Sequence, residues 1–231
     1  MVTVHFTYCK DYLTLHTTRY YRRMDKKMGK AEDNKRKKRT SLLANAYNLF
    51  MAKGITNTSI AEIAEMAGVG KGTFYTYFKD KEDLIDQLIA RKAEALLIHA
   101  LDDLKEHEAM GMPLSVEDKL IIITDDLITE LAKDPKLVKF LNRNLHVGFY
   151  KKAFQRTDFI GNFDIPALYR ELLNEDGYEW REPELMLYTL VEFIGSTVHS
   201  IIIEKEPVDL ETYKPWLFSC IRNIISVFRV K

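Results

Sequence analysis

Between Thr58 and Lys81, apolar residues recur at three- and four-residue intervals, first as Ile60, Ile63, Ala64 and Ala67, then as Phe74 and Phe78. The spacing predicts two short helices. Glu62 and Glu65 fall off the apolar face of the first, and Thr58 or Ser59 can accept a bond from its leading backbone donors. Ser59 and Glu62 also stand at capping-box spacing. Gly68 follows the last apolar position and suits the left-handed conformation that ends a helix, leaving Val69 to plug the angle between the two. On these features alone the stretch is a helical hairpin that any all-α protein could contain.

The second helix separates the readings. With Phe74 and Phe78 turned inward, its remaining faces carry Lys71, Thr73, Tyr75, Thr76 and Tyr77. A merely solvated face in a chain this rich in Lys and Glu would carry those residues in place of aromatic hydroxyls. Hydroxyls and ammonium groups are what hold phosphate oxygens and touch base edges. Gly72 allows close approach of a duplex to the backbone, and Asp80 is placed to cap a following helix, with Lys79 and Lys81 on either side.

Elsewhere the period stays helical and shows no strand alternation. Helices are predicted over 35–53, 82 to about 108, 116–133, 135–154, 164–174, 183–204 and 210–228. The breaks are Gly54-Ile55-Thr56, Gly111-Met112-Pro113, Asp134-Pro135, Gly161-Asn162, Gly177 and Glu206-Pro207.

Charge sharpens this picture. The net charge is zero, yet residues 1–81 hold 16 Lys and Arg against 7 Asp and Glu, whereas residues 82–231 hold 18 against 27. A basic head on an acidic body suits a nucleic-acid-binding module joined to a separate domain. Chance segregation plus the run Lys35 to Arg39 is the alternative. Cys9 and Cys220 make no metal spacing with any histidine, so neither a disulfide framework nor a zinc site is expected, and a reducing cytoplasm is the default. No apolar run approaches the roughly 20 residues needed to span a bilayer, and no secretory leader is apparent, so no membrane association is expected.

The run Ile63-Ala64, Ala67-Gly68-Val69, Lys71-Gly72-Thr73-Phe74-Tyr75, Tyr77-Phe78-Lys79, Lys81-Glu82 and Leu84 resembles the DNA-binding domain of the TetR family of transcriptional repressors. The resemblance covers about residues 34–84. It implies an all-α fold, with an N-terminal three-helix helix-turn-helix domain over 34–81 and a C-terminal helical ligand-binding and dimerisation domain over 82–231. It also implies a homodimer that binds a pseudo-palindromic double-stranded DNA operator and is released by a small-molecule effector, with the helix from Glu82 as the connecting lever. Carried over by position, Lys71, Gly72, Thr73, Tyr75, Thr76 and Tyr77 would face DNA, Ser59 would stand on the same side, and Lys81 would hold a phosphate. Lys35 and Arg36, leading the basic run, would reach phosphates too. Gly70 departs from the pattern, since many members carry a side-chain cap there.

Residues 1–33 are expected to be an extension. Met24 or Met28 is a more ordinary start for such a chain, so residues 1–23 read as the product of an upstream start codon; a basic arm entering the minor groove is the alternative. In the C-terminal body, His146, Phe149, Tyr150, Phe154, Phe159, Phe163 and Tyr169 concentrate around Gly161, as the lining of a pocket for an apolar or aromatic effector or as ordinary core. Tyr188, Gly195, His199, Trp216, Ile221 and Ile224 lie on the last two helices, which in the family pack across a twofold axis; monomer core is again the alternative. No cofactor or metal is expected. A metal-carboxylate enzyme could draw on His99, His107, Asp102-Asp103 and Asp125-Asp126, but Glu-x-x-His pairs are absent, as are a glycine-rich phosphate loop and a Gly-x-Ser-x-Gly elbow. A non-DNA adaptor would not need the polar face of the second short helix.

Overall fold

The computed structural model describes residues 30–111, 113–144, 165–175 and 177–230, and within these the chain forms two compact units that meet in sequence at Leu88 and Ile89. The first unit contains α1 (Lys30–Lys53), α2 (Ile60–Met66), α3 (Lys71–Tyr77) and the start of α4 (Lys81–Ala109). Helix α1 begins at Lys30, earlier than predicted, and Glu32 and Asp33 in its first turn suit the positive end of the helix dipole. Leu42, Leu43, Ala46 and Phe50 form its buried stripe, with Ile63, Ala64, Phe74 and Phe78 completing the core together with Leu84 and Leu88. Burial of Leu84 and Leu88 moves the unit boundary past the predicted 81/82, because the first two turns of α4 belong to the small core.

The second unit contains the remainder of α4, then α5 (Val116–Lys133), α6 (Pro135–Asn144), α7 (Ile165–Asn174), α8 (Pro183–Ile203) and α9 (Leu210–Phe228). Ser115 caps α5 in a capping box with Asp118, and Asp209 caps α9 by accepting from the Thr212 N–H at 3.0 Å. Helices α8 and α9 pack on each other, and their Met186, Leu190, Val198, Leu217, Ile221 and Ile225 join Val116, Ile128 and Leu173 in one core. Contrary to the expectation of no strands, β1 (Glu179–Trp180) and β2 (Arg229–Val230) pair antiparallel. Two residues are too few to show alternation, and what holds them is side-chain stacking: the Arg229 guanidinium lies 4.1 Å from the Tyr178 ring centroid and 5.3 Å from that of Trp180, and also pairs with Glu117.

Two sequence expectations need correction here. Ile221, expected at a twofold interface, is completely buried within the monomer core, and Ile224 packs partly buried against the same cluster. Tyr169, read as pocket lining or ordinary core, is buried, with its hydroxyl donating to the Pro183 carbonyl at 3.0 Å. Helix α8 also has the length and apolarity of a bilayer-crossing segment, which the sequence was not expected to contain. One face of it sits in the core while Leu185, Val191, Gly195 and Ser196 remain exposed.

Candidate nucleic-acid interface

The helix-turn-helix is assembled from caps outward. Ser59 Oγ accepts from the Glu62 N–H at 3.2 Å, and the Ser59 N–H donates to Glu62 Oε2 at 2.9 Å, which completes the expected capping box. The Lys53 ammonium reaches the same carboxylate from the last turn of α1. Lys53 first, then the Ser59 amide and hydroxyl, hold the Glu62 carboxyl down at about 2. Ser59, expected on the DNA side, commits its hydroxyl hydrogen to Glu62 Oε2 at 3.0 Å. Its role in the structure is to start α2.

The turn is a Schellman motif. The Val69 N–H donates to the Ala64 carbonyl and the Gly68 N–H to that of Glu65, each at 2.9 Å, with Gly68 at φ +68°. Gly70 then precedes α3 in an extended conformation without a side-chain cap. On α3, Phe74 and Phe78 are buried to 0 % and 1 % exposure with ring centroids 5.3 Å apart, so the helix cannot roll about its axis without emptying the core. That fixes the opposite face. Lys71, Gly72, Tyr75 and Thr76 are exposed there, with Thr73 and Tyr77 half-buried at its edges. The Thr76 hydroxyl donates loosely to the Gly72 carbonyl at 3.4 Å and keeps its acceptor lone pairs outward. A Cβ built on Gly72 meets nothing within 4 Å and its φ is not positive, so nothing inside the chain calls for glycine there.

Lys81 departs most from expectation. Its ammonium donates to the carbonyls of Ile55 and Thr58 at 3.0 and 3.2 Å, closing the turn between α1 and α2 where a phosphate contact was predicted. Lys35 and Arg36 are exposed on the first turns of α1. Arg36 and Lys37 both pair with Asp33, at 3.3 and 2.7 Å, and hydrogen bonds from Lys37 and then Arg36 lower the Asp33 carboxyl below its usual range. Such exposed pairs exchange readily for phosphate partners. Arg39, at the end of the basic run, is turned instead to Gln87 on α4. Sequence reading missed that pairing, because 48 residues separate the partners.

In the second unit, His99 Nδ1 lies 2.7 Å from Asp126 Oδ2, and His99, Asp126 and Glu130 have the donor types and mutual distances that could hold a cation. The bond to Asp126 raises the His99 pKa, and Lys133 lies on Glu130. His107 Nδ1 sits 3.0 Å from the Asp103 carbonyl of its own helix. Of the residues expected to line an effector pocket, His146, Phe149, Tyr150, Phe154, Phe159 and Phe163 lie outside the described side chains. Of those expected at a dimer face, Trp216 is 71 % exposed and Gly195 is open to solvent, while Tyr188 and His199 are half-buried. Leu185 adds exposed apolar surface, as do Val191 and Val227, which the sequence reading did not single out.

Comparison with known proteins agrees with this geometry. Residues 42–88 match the family model described as bacterial regulatory proteins, tetR family. An HTH-type transcriptional regulator of Staphylococcus aureus strain USA300 is 27 % identical over 180 residues, covering 75 % of this chain and 86 % of the relative. Among solved structures, a TetR family transcription regulator from Shewanella sp. PV-4 superposes with a TM-score of 0.60 at 18 % identity, over 84 % of this chain and 99 % of that one. The regulator FadR of Bacillus subtilis, solved in complex with stearoyl-CoA, superposes with a TM-score of 0.52 at 20 % identity, over 81 % and 97 %. At such identities the structural likeness speaks to the fold.

Proposed function

We propose that this chain, whose residues 42–88 match the tetR family model and whose relatives include HTH-type transcriptional regulators, is a TetR family regulator acting as a homodimeric repressor released by a small-molecule effector. The observation that carries the reading is the face of α3: Phe74 and Phe78 anchor one side, and Lys71, Tyr75 and Thr76 stand exposed on the other. A helix of seven residues reads few base pairs, so a pseudo-palindromic operator engaged by two copies supplies the missing affinity and specificity. Lys71, Gly72, Thr73, Tyr75, Thr76 and Tyr77 take the groove, and Lys35 and Arg36 take phosphates. The second copy covers the exposed apolar faces of α8 and α9 around Leu185, Val191 and Trp216. Such a regulator would work in the cytoplasm, where its operator DNA lies.

The effector is an apolar or amphiphilic molecule taken up by the C-terminal unit, and helix α4, which carries residues of both units, links its occupancy to the DNA-binding domain. To move the dimer from nearly all competent to nearly all incompetent, the effector must discriminate between the two states by about 5.5 kcal/mol. Long-chain acyl-CoA is the first class to try, since the Bacillus subtilis neighbour was solved with stearoyl-CoA. The test is selection of duplexes from a random pool by the purified chain, followed by sedimentation with and without the selected DNA. A palindromic winner bound by two copies is expected; a pool that stays unenriched sinks the reading. A panel of acyl-CoA chain lengths, added to the bound complex, then reports release.

A further inference from the structure

We infer that Gln87 is a positioning residue for the recognition face, acting through a relay of hydrogen bonds from α1 to the end of α3. Gln87 is buried at 7 % exposure in the second turn of α4. Its oxygen accepts from Arg39 Nε at 3.2 Å and from Arg39 Nη2 at 2.7 Å. Its nitrogen donates to Asp83 Oδ1 at 3.0 Å, and Asp83 Oδ2 accepts the backbone N–H of Lys79 at 2.8 Å. Asp83 is itself held by its own N–H, which donates to Asp80 Oδ1 at 2.8 Å. Lys79 follows Phe78, the residue that ends α3. One amide therefore stands between the basic run of α1 and the last peptide group of the recognition helix.

The chemistry of the neighbours specifies that amide. Arg39 can only donate and the Asp83 carboxylate can only accept, so the group between them must present an acceptor to one and a donor to the other. A carboxylate at 87 keeps Arg39 and repels Asp83. A thioether of the same length loses both and leaves Arg39 without this acceptor. The burial of Phe74 and Phe78 fixes the roll of α3, but a seven-residue helix with no side-chain cap at its start can still tilt. The Lys79 N–H, tied to Asp83, limits that tilt at the other end. Readout of base edges needs its side chains held within about 0.5 Å of their working geometry, and a directional network running from the buried Gln87 to the exposed Lys79 amide supplies that more sharply than apolar packing.

The inference rests on α3 being the DNA-reading helix. Its test uses the full chain as wild type, Gln87→Met, Gln87→Glu, and Arg39→Met with Gln87→Met, against the duplex the wild type selects from a random pool and an unrelated duplex of equal length. Gln87→Met is expected to lose about tenfold in affinity for the selected duplex, as one charge-assisted bond's worth of positioning. Affinity for the unrelated duplex and the slope against log salt should stay unchanged, because no phosphate contact is removed. The double variant should fall within about twofold of the single, since both break one relay. The Lys79 amide should exchange hydrogen faster in Gln87→Met and Gln87→Glu alike. Wild-type affinity in Gln87→Met, or unchanged Lys79 exchange, overturns the relay. Equal losses on both duplexes with a lowered melting temperature also overturn it, by reducing Gln87 to a stability group. Should the wild type select no duplex, the DNA-binding reading fails and this inference with it; selection by the wild type with an indifferent Gln87→Met sinks the relay alone.

Discussion

The ammonium of Lys81 donates to the carbonyl oxygen of Thr58 at 3.2 Å and, from the same position, to that of Ile55 at 3.0 Å. Thr58 is buried, and its hydroxyl donates to the Gly54 carbonyl at 2.8 Å, so the turn between α1 and α2 is closed from both sides. Lys81→Met should therefore lower the stability of the DNA-binding unit by about 1 kcal/mol, after allowing for solvent access to the ammonium. Urea melts followed by circular dichroism measure this. A variant of unchanged stability whose DNA-binding salt slope drops by about one unit would return Lys81 to the phosphate role.

Gly72 sits exposed in the first turn of α3 with open space where a Cβ would stand. Gly72→Ala should raise stability by up to about 1 kcal/mol, from helix propensity and reduced freedom of the unfolded chain. The same variant should bind the selected duplex more weakly, because the added methyl meets the DNA. A stabilised protein with undiminished affinity would remove Gly72 from the interface.

Lys71→Ala should cost on the order of 1–3 kcal/mol of operator affinity and relax preference at one position of the site, if its ammonium reads a base edge. Tyr75→Phe removes a hydroxyl from the 51 % exposed ring beside it and should add a smaller loss. Selection repeated with the double variant tests both; the same winning sequence at the same affinity would vacate this assignment of the face.

The Glu62 carboxyl, held at about 2 against an ordinary value of 4.5, makes stability depend on pH. Its folded pKa lies below the unfolded one, so the unfolded chain binds the proton more readily in between. The stabilisation is fully present above about 4.5 and is lost as pH falls toward about 2. Glu62→Gln should flatten that part of the stability profile, read as the difference between the two proteins' urea midpoints from pH 5 to pH 2. Parallel profiles would show that Lys53 and Ser59 do not hold the carboxylate in solution.

Trp216 and Ile221 separate the two roles expected of α9. Trp216→Arg, at a side chain 71 % exposed in one copy, should leave the melting of the monomer nearly unchanged and shift sedimentation at micromolar concentration toward monomer. Ile221→Ala should instead destabilise the chain by about 2–5 kcal/mol through a core cavity. A Trp216→Arg protein that sediments as the wild type does would place the twofold contact elsewhere.

The helix-turn-helix was legible in the sequence because its determinants are local. Ser59 and Glu62, Gly68 and Val69, Phe74 and Phe78 lie within five residues of their partners, and caps and turns act at that range. The bounds of α5 and α9 were legible for the same reason, each being capped by a side chain three residues ahead of the amide it serves. Ile221 was misplaced because an apolar residue on an apolar helix has the same periodicity whether it faces its own core or a second copy. The β1–β2 pair was missed because it is held by Arg229 against Tyr178 and Trp180, about fifty residues apart in sequence.

The sequence by itself thus determined the all-helical class, the ends of most helices and the composition of the recognition face, since each follows from spacing and capping within a turn or two. Only the tertiary structure decided where long polar side chains end. Lys81 folds back onto Ile55 and Thr58, and Arg39 leaves the basic run for Gln87, because a carbonyl or amide oxygen partly shielded from water takes the nearest donor. Which donor is nearest depends on how helices distant in sequence come together.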